Sequence, residues 1–209
     1  MAQSDTSSDT IVKVSGDNQI VNQGNDTFSV EETEEDDDDS ITGIGTDAAV
    51  DGFVNSDTIY TGNGKDSITG IGKGAGTGIV NYATIDTGNG KDSITGEGGE
   101  QGIGILNDGI INTGRGKDIV DALNGGFGGY GIVSLGRGDD ILSGFGTGWF
   151  YGGKGTDALI LPSGTYTVGV SGGQVTFTLD GVTMNTAGFE VLQIGDNSYD
   201  FSNLLPIVS

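Results

Sequence analysis

The sequence predicts an all-β chain wound as a right-handed parallel β-helix or β-roll solenoid with a C-terminal antiparallel β cap, and three observations carry that prediction. The pentapeptide GNGKD begins at Gly62 and again at Gly88, and GRGKD follows at Gly114, so one unit recurs every 26 residues. A unit this short cannot bury an apolar face alone, and its copies must stack. Three apolar strips recur in phase with it: Phe53, Ile79 and Ile105; Ile59, Ile85 and Ile111; Ile68, Ile94 and Val120. Finally, 42 of the 209 residues are Gly and only 33% are hydrophobic, which suits a thin core with many tight turns. The Gly has no three-residue period, against collagen, and the regular aliphatic spacing argues against disorder.

Each 26-residue unit is read as three short strands separated by Gly-rich turns, one coil of a solenoid with rungs ~4.8 Å apart. Parallel crossovers favour the right-handed sense. Asn55, Asn81 and Asn107 fall on one line and are expected to form a hydrogen-bonded ladder at a turn. Upstream, Ile20-Val21-Asn22 is matched to Phe53-Val54-Asn55, and Asp39 to Gly43 is matched to Asp66 to Gly70. Between them, residues 31–39 hold eight acids in nine positions and are expected to form a solvated, mobile loop. Downstream the motif Asp advances 22 residues from Asp118 to Asp140 and then 17 to Asp157, so the coils shrink. The repeat is expected to stop at Pro162. Alternating segments with turn signals at Gly172-Gly173 and Asp180-Gly181 then suggest antiparallel strands. The expected organisation is a solenoid over residues 1–161 and a β cap over 162–209.

Eight Lys and Arg against 30 Asp and Glu give a net charge of −22, which repels nucleic acid and anionic membranes and favours cations. The chain has no Cys and no His. That removes disulfides, thiolate sites, imidazole bases and the common nucleophile pairs, and it leaves oxygen ligands suited to hard ions such as calcium. The segment MAQSDTSSDT has neither a basic nor an apolar part, so no cleavable leader is expected. No apolar run reaches membrane-spanning length, and no membrane insertion is expected.

The segments LGRGDDILS (from Leu135), SGFGTGWFY (from Ser143) and GGKGTDALI (from Gly152) resemble the glycine-rich nonapeptide GGxGxDxUx of RTX proteins, the haemolysin-type calcium-binding repeats. GGKGTDALI matches throughout; LGRGDDILS lacks the first Gly; SGFGTGWFY lacks both that Gly and the Asp, whose place Gly148 takes. In that family the turn binds calcium through main-chain carbonyls and the Asp carboxylate, with a turn one coil away completing the shell. The resemblance therefore implies Asp140 and Asp157 as carboxylate ligands. It also implies that Gly136, Arg137 and Gly138, and Gly153, Lys154 and Gly155, form the two turns. It extends more loosely to Asp66, Asp92 and Asp118, which follow Lys65, Lys91 and Lys117 where the family more often has Asn or Asp. A Lys beside each carboxylate is expected to offset the repulsion between stacked acids, which leaves calcium open at these three turns. The resemblance further implies export by a type I route, an extracellular or cell-surface location, and cell-surface or matrix polymers as partners.

Two other readings stay open. Thr42, Thr69 and Thr95, and Thr61, Thr87 and Thr113, line up as ladders that could face ice or a mineral lattice, although Thr on an outward strand face is also ordinary. A polysaccharide lyase or epimerase would draw on Lys73, Arg115, Arg137, Tyr130 and Tyr151, which show no diagnostic spacing. Trp149, Phe150 and Tyr151 are read as one capping cluster rather than a sugar platform.

Overall fold

The computed structural model describes residues 38–204, together with the backbone of the strands Thr10–Val14, Gln19–Gln23 and Phe28–Glu32. It is a nearly all-β solenoid of parallel sheets, closed by antiparallel strands. One coil runs through Phe53–Asn55, Thr58–Tyr60 and Ser67–Ile71, and the next repeats it at Ile79–Asn81, Thr84–Asp86 and Ser93–Glu97. Each strand pairs in parallel with its counterpart 26 residues away: Phe53 with Ile79, Ile59 with Ile85, and Ile68 with Ile94. The three predicted strips are thus the inward positions of three faces, named below the Phe53, Ile59 and Ile68 faces.

Strand alternation explains the pattern, because successive side chains point to opposite sides of a sheet. In Ser67–Ile71, Ile68 and Gly70 are buried, and Ser67, Thr69 and Ile71 face outward. The core is therefore one aliphatic stack per face. The Ile59 stack runs through Ile85, Ile111 and Val133 to Phe150, and the Ile68 stack runs through Ile94, Val120 and Leu142 to Leu159.

Among the described residues the Phe53 face has four strands and ends at Phe127–Gly128. The coil from Asp140 to Asp157 has no strand there, which is why the period falls to 17 residues. Phe127 closes that side, edge-on to Phe150 with ring centroids 4.8 Å apart. Beyond it the interior is filled by a chain of aromatic contacts from Phe145 through Tyr166 and Phe177 to Phe201 and Phe189.

Four expectations need correction. Ile20 pairs with Ile41, so Ile20-Val21-Asn22 belongs to the Ile68 face and not beside Phe53. Thr10–Val14 pairs with Phe28–Glu32, whose Glu31 is the register partner of Tyr60. Among the described residues, the N-terminal strands therefore belong to the Ile59 and Ile68 faces. The acidic run is ordered at both ends: Glu31 and Glu32 lie in a strand and Asp39 is buried, while residues 33–37 lie outside the described residues. The parallel register also outlasts Pro162. Val182–Ala187 pairs in parallel with Trp149–Lys154, and Val191–Ile194 with Ala158–Leu161, completing one more rung. The antiparallel partners, Thr167–Ser171 with Gln174–Leu179 and Asn197–Asp200, are appended to that rung. Finally, Trp149, Phe150 and Tyr151 form no single cluster, since they sit on one strand and alternate: Phe150 is buried, Trp149 exposed and Tyr151 half-exposed.

Candidate metal centre

Every GxGxD segment sits at the corner where the Ile59 face turns into the Ile68 face. The second Gly of the motif is required by close approach of neighbouring rungs. A Cβ on Gly90, Gly116, Gly138 or Gly155 would overlap the carbonyl oxygen of Gly64, Gly90, Gly116 or Gly138, respectively. Main chains this close leave one inward route for the Asp two residues later. Asp39, Asp66, Asp92, Asp118, Asp140 and Asp157 are all buried.

These carboxylates form one continuous column. The Asp39 amide donates to Oδ1 of Asp66, the Asp66 amide to Asp92, and the Asp92 amide to Asp118, each at 2.9 Å. The Asp118 amide donates to Asp140 at 2.9 Å and the Asp140 amide to Asp157 at 3.0 Å. The Asp157 amide donates to Oε2 of Glu190 at 2.8 Å, so a glutamate ends the column. Oδ2 differs along it. That of Asp66 accepts from the Thr61 hydroxyl at 2.6 Å, whereas the buried Oδ2 atoms of Asp140 and Asp157 meet no protein donor and those of Asp92 and Asp118 have only the hydroxyls of Thr87 and Thr113 nearby. Thr87 and Thr113 stand beside Asp92 and Asp118, but their hydroxyls reach the carbonyl oxygens of Thr113 at 3.4 Å and Leu135 at 2.8 Å.

Burial sets the titration of the column, because removing a carboxylate from water disfavours its charged form. It pushes Asp92 up to about 7 against the relief of the Asp66 amide and the Thr87 hydroxyl, with the charges of Asp66 and Asp118 adding to the rise. Burial likewise raises Asp118 to about 6, with the Asp140 charge adding to it. Asp157 rises to about 6 by burial, then by the charges of Asp140, Glu190 and Asp139. Asp140 is raised mainly by burial as well.

The Lys residues before Asp66, Asp92 and Asp118 do not neutralise them. Alternation points Lys65, Lys91 and Lys117 into solvent, and Lys117 pairs instead with Asp139 at 2.7 Å. Asp66, Asp92 and Asp118 therefore occupy the same column as Asp140 and Asp157, one rung after another. Glu190 and Asp39 were not read as site residues in the sequence. The signal for Glu190 was Glu190-Val191-Leu192, which repeats the acid-aliphatic pattern of Asp157-Ala158-Leu159. Among the described residues no three acids gather at one point, so carboxylates alone make no ion cage.

The other candidates separate. Thr61, Thr87 and Thr113 are buried beside the column and cannot face a lattice, while Thr42, Thr69 and Thr95 do lie in register on the outer Ile68 face. Lys73 is at the corner leading into the Phe53 face, with its ammonium on the Thr46 carbonyl oxygen at 3.0 Å. Tyr130 is at the corner leaving that face, and Arg115 and Arg137 are at the third corner. Of the residues considered for a lyase or epimerase, Arg115, Arg137 and Tyr151 therefore share the Ile59 face, while Lys73 and Tyr130 lie at two other corners. Among the described residues no helix is long and apolar enough to cross a membrane. Comparison of the chain with protein-family models, with curated proteins and with solved structures finds no match.

Proposed function

We propose that the chain is a non-enzymatic, calcium-binding β-solenoid that serves as a structural or adhesive module outside the cell or at its surface. One observation carries the reading: the column of buried carboxylates in which Oδ2 of Asp140 and Asp157 meets no donor and those of Asp92 and Asp118 have only a Thr hydroxyl beside them. Burying charge without a partner is costly, so each such group takes up a proton or a cation. A chain of net charge −22 with neither His nor Cys offers hard oxygen ligands, which match calcium.

Asp140 and Asp157 would hold the ion most readily, with main-chain carbonyls of Gly136, Arg137, Gly138, Gly153, Lys154 and Gly155 supplying the remaining oxygens. Asp66, Asp92 and Asp118 offer the same arrangement one rung at a time. Bound calcium would supply positive charge between rungs and relieve like-charge repulsion along the column. Few carboxylates per ion correspond to weak extracellular-type affinities of about 10⁻⁴ to 10⁻³ M. The spread of Lys73, Tyr130 and Arg115 over separate corners supports a binding role over catalysis.

The direct test is calcium and magnesium content of the protein after dialysis against both ions, with calorimetric titration of the stripped protein. Calcium retained at more than one ion per chain supports the reading. Protein that holds no calcium at millimolar free ion leaves the column as a protonated hydrogen-bond spine and rejects the proposal.

A further inference from the structure

The outer side of the Ile59 face carries a second column, of opposite sign to the first. Asn63, Asn89, Arg115, Arg137 and Lys154 are register partners on successive rungs. We propose that the stretch Arg115, Arg137 and Lys154 is a binding track for a linear acidic polysaccharide bearing about one carboxylate per sugar. The inference extends the adhesive role proposed above but does not rest on calcium.

Three of the chain's eight basic residues stand here on adjacent rungs, all exposed. Like charges directly opposite one another on neighbouring strands destabilise a sheet. The chain has 30 acids with which to break such a stack, yet none of the three makes an ion pair with a described residue. Lys117, one row away, shows the alternative by pairing with Asp139 at 2.7 Å. An unneutralised cationic column on a strongly acidic molecule is complementary to an external anion.

The same face supplies a platform beside the charges. Ile110, Ile132 and Trp149 form an outward row that is 46%, 39% and 38% exposed. Tyr60 and Tyr151 stand in the next row, and a depression of about 420 Å³ opens between Tyr60, Asn112, Arg115 and Arg137. Among the described residues Asp86 is the one acid lining it, and its carboxylate is already engaged by the Gly88 amide and the Asn112 side chain, both at 3.1 Å. Aromatic and aliphatic faces next to polar groups suit a ring that is itself half apolar, and the Arg fork matches a carboxylate in two hydrogen bonds.

Charge spacing selects the class of polymer. The rungs place one cation every ~4.8 Å along the axis. Duplex nucleic acid carries one charge per ~1.7 Å, a density that one cation per rung cannot neutralise.

The test is retention on polygalacturonate in affinity electrophoresis, run both with excess calcium and with chelator, because calcium itself can bridge carboxylates. Wild type is compared with Arg115→Ala/Arg137→Ala/Lys154→Ala and with Lys65→Ala/Lys91→Ala, and circular dichroism verifies the fold of each. Wild type should be retained in both conditions, less so as salt rises. The triple variant should bind at least tenfold more weakly, and the lysine variant should match wild type. Should chelator unfold the protein, the calcium arm alone decides between wild type and the triple variant. The proposal is overturned by absent wild-type retention, by equal retention of the triple variant, or by an equal loss in the lysine variant. Tighter retention on dextran sulfate or single-stranded DNA would also overturn it, since charge density rather than spacing would then be recognised.

Discussion

Asp157 accepts the Asp140 amide through Oδ1 and donates its own amide to Glu190, so one residue links three rungs. Asp157→Ala removes that acceptor from a buried amide and should cost about 1–3 kcal/mol in chelator, read from denaturant melts. Asp157→Asn keeps an oxygen at Oδ1 and should recover most of that stability, while losing as much calcium-dependent stabilisation as the alanine variant does. Equal calcium stabilisation in the asparagine variant and wild type would remove Asp157 from the metal site. Because Lys91 points to solvent, Asp92→Ala should lower calcium content as Asp157→Ala does, one rung's worth each. The column also fixes a pH dependence. Asp92, near 7, and Asp118 and Asp157, near 6, are raised above the ordinary value of 3.8. The folded state therefore binds more protons than the unfolded state between about pH 4 and 7. The stability contributed by these groups is complete below pH 4 and is lost as pH rises through 6 to 7. In chelator the melting temperature should fall from pH 5 to pH 8. Excess calcium, which competes with those protons, should stabilise more at pH 8 than at pH 5. A chelated protein whose stability stays flat across that range would show that the carboxylates are not held protonated.

At the scale of the repeated strand and turn, much was legible in the sequence because geometry and residue type coincide. The Asn ladder is present as read: Asn55 donates to Asn81 at 2.7 Å and Asn81 to Asn107 at 2.8 Å, with all three side chains buried. Asn81→Ala should cost about 1–3 kcal/mol, because it removes a buried hydrogen bond from each neighbour, Asn55 keeping only the Thr84 carbonyl and the Asn107 oxygen only the Gly109 amide, and thermal melts of the single variant check it. The GxGxD turn was recognisable as a motif, but the direction of its Asp was not. Spacing places Asp92 in line with Asp118, and only the inward side of the turn, opposite Lys91, decides that the carboxylate is buried and that Lys cannot balance it. Gly116 tests the turn itself, since a Cβ there would overlap the Gly90 carbonyl oxygen and its φ is +154°. Gly116→Ala should therefore separate the rungs and lower stability by several kcal/mol, on the scale of buried overpacking and backbone strain combined. An unchanged melt would mean that the rungs are less tightly apposed. Pairing across non-repeating sequence was the least legible part. Val182–Ala187 and Val191–Ile194 look like cap strands by alternation alone, and only their register with Trp149–Lys154 and Ala158–Leu161 makes them a further coil.

The whole molecule combines a thin aliphatic core with an unusual charge distribution. Its acids include an internal column from Asp39 to Asp157, ended by the exposed Glu190, and part of its small basic complement is stacked on one outer face. A fold of net charge −22 repels itself, and a ligand that binds only the folded state adds RT ln(1 + [L]/Kd) per site, about 2.7 kcal/mol at a hundredfold excess over Kd. For a chain of this length each kcal/mol moves the melting temperature by roughly 2–4 °C. The most direct test of the central claim is the melting curve of the wild-type protein at pH 8 in excess calcium against excess chelator, with magnesium as the control cation. Occupancy of the aspartate column predicts a rise of several degrees or more with calcium and little with magnesium. Superimposable curves in calcium and chelator would contradict it.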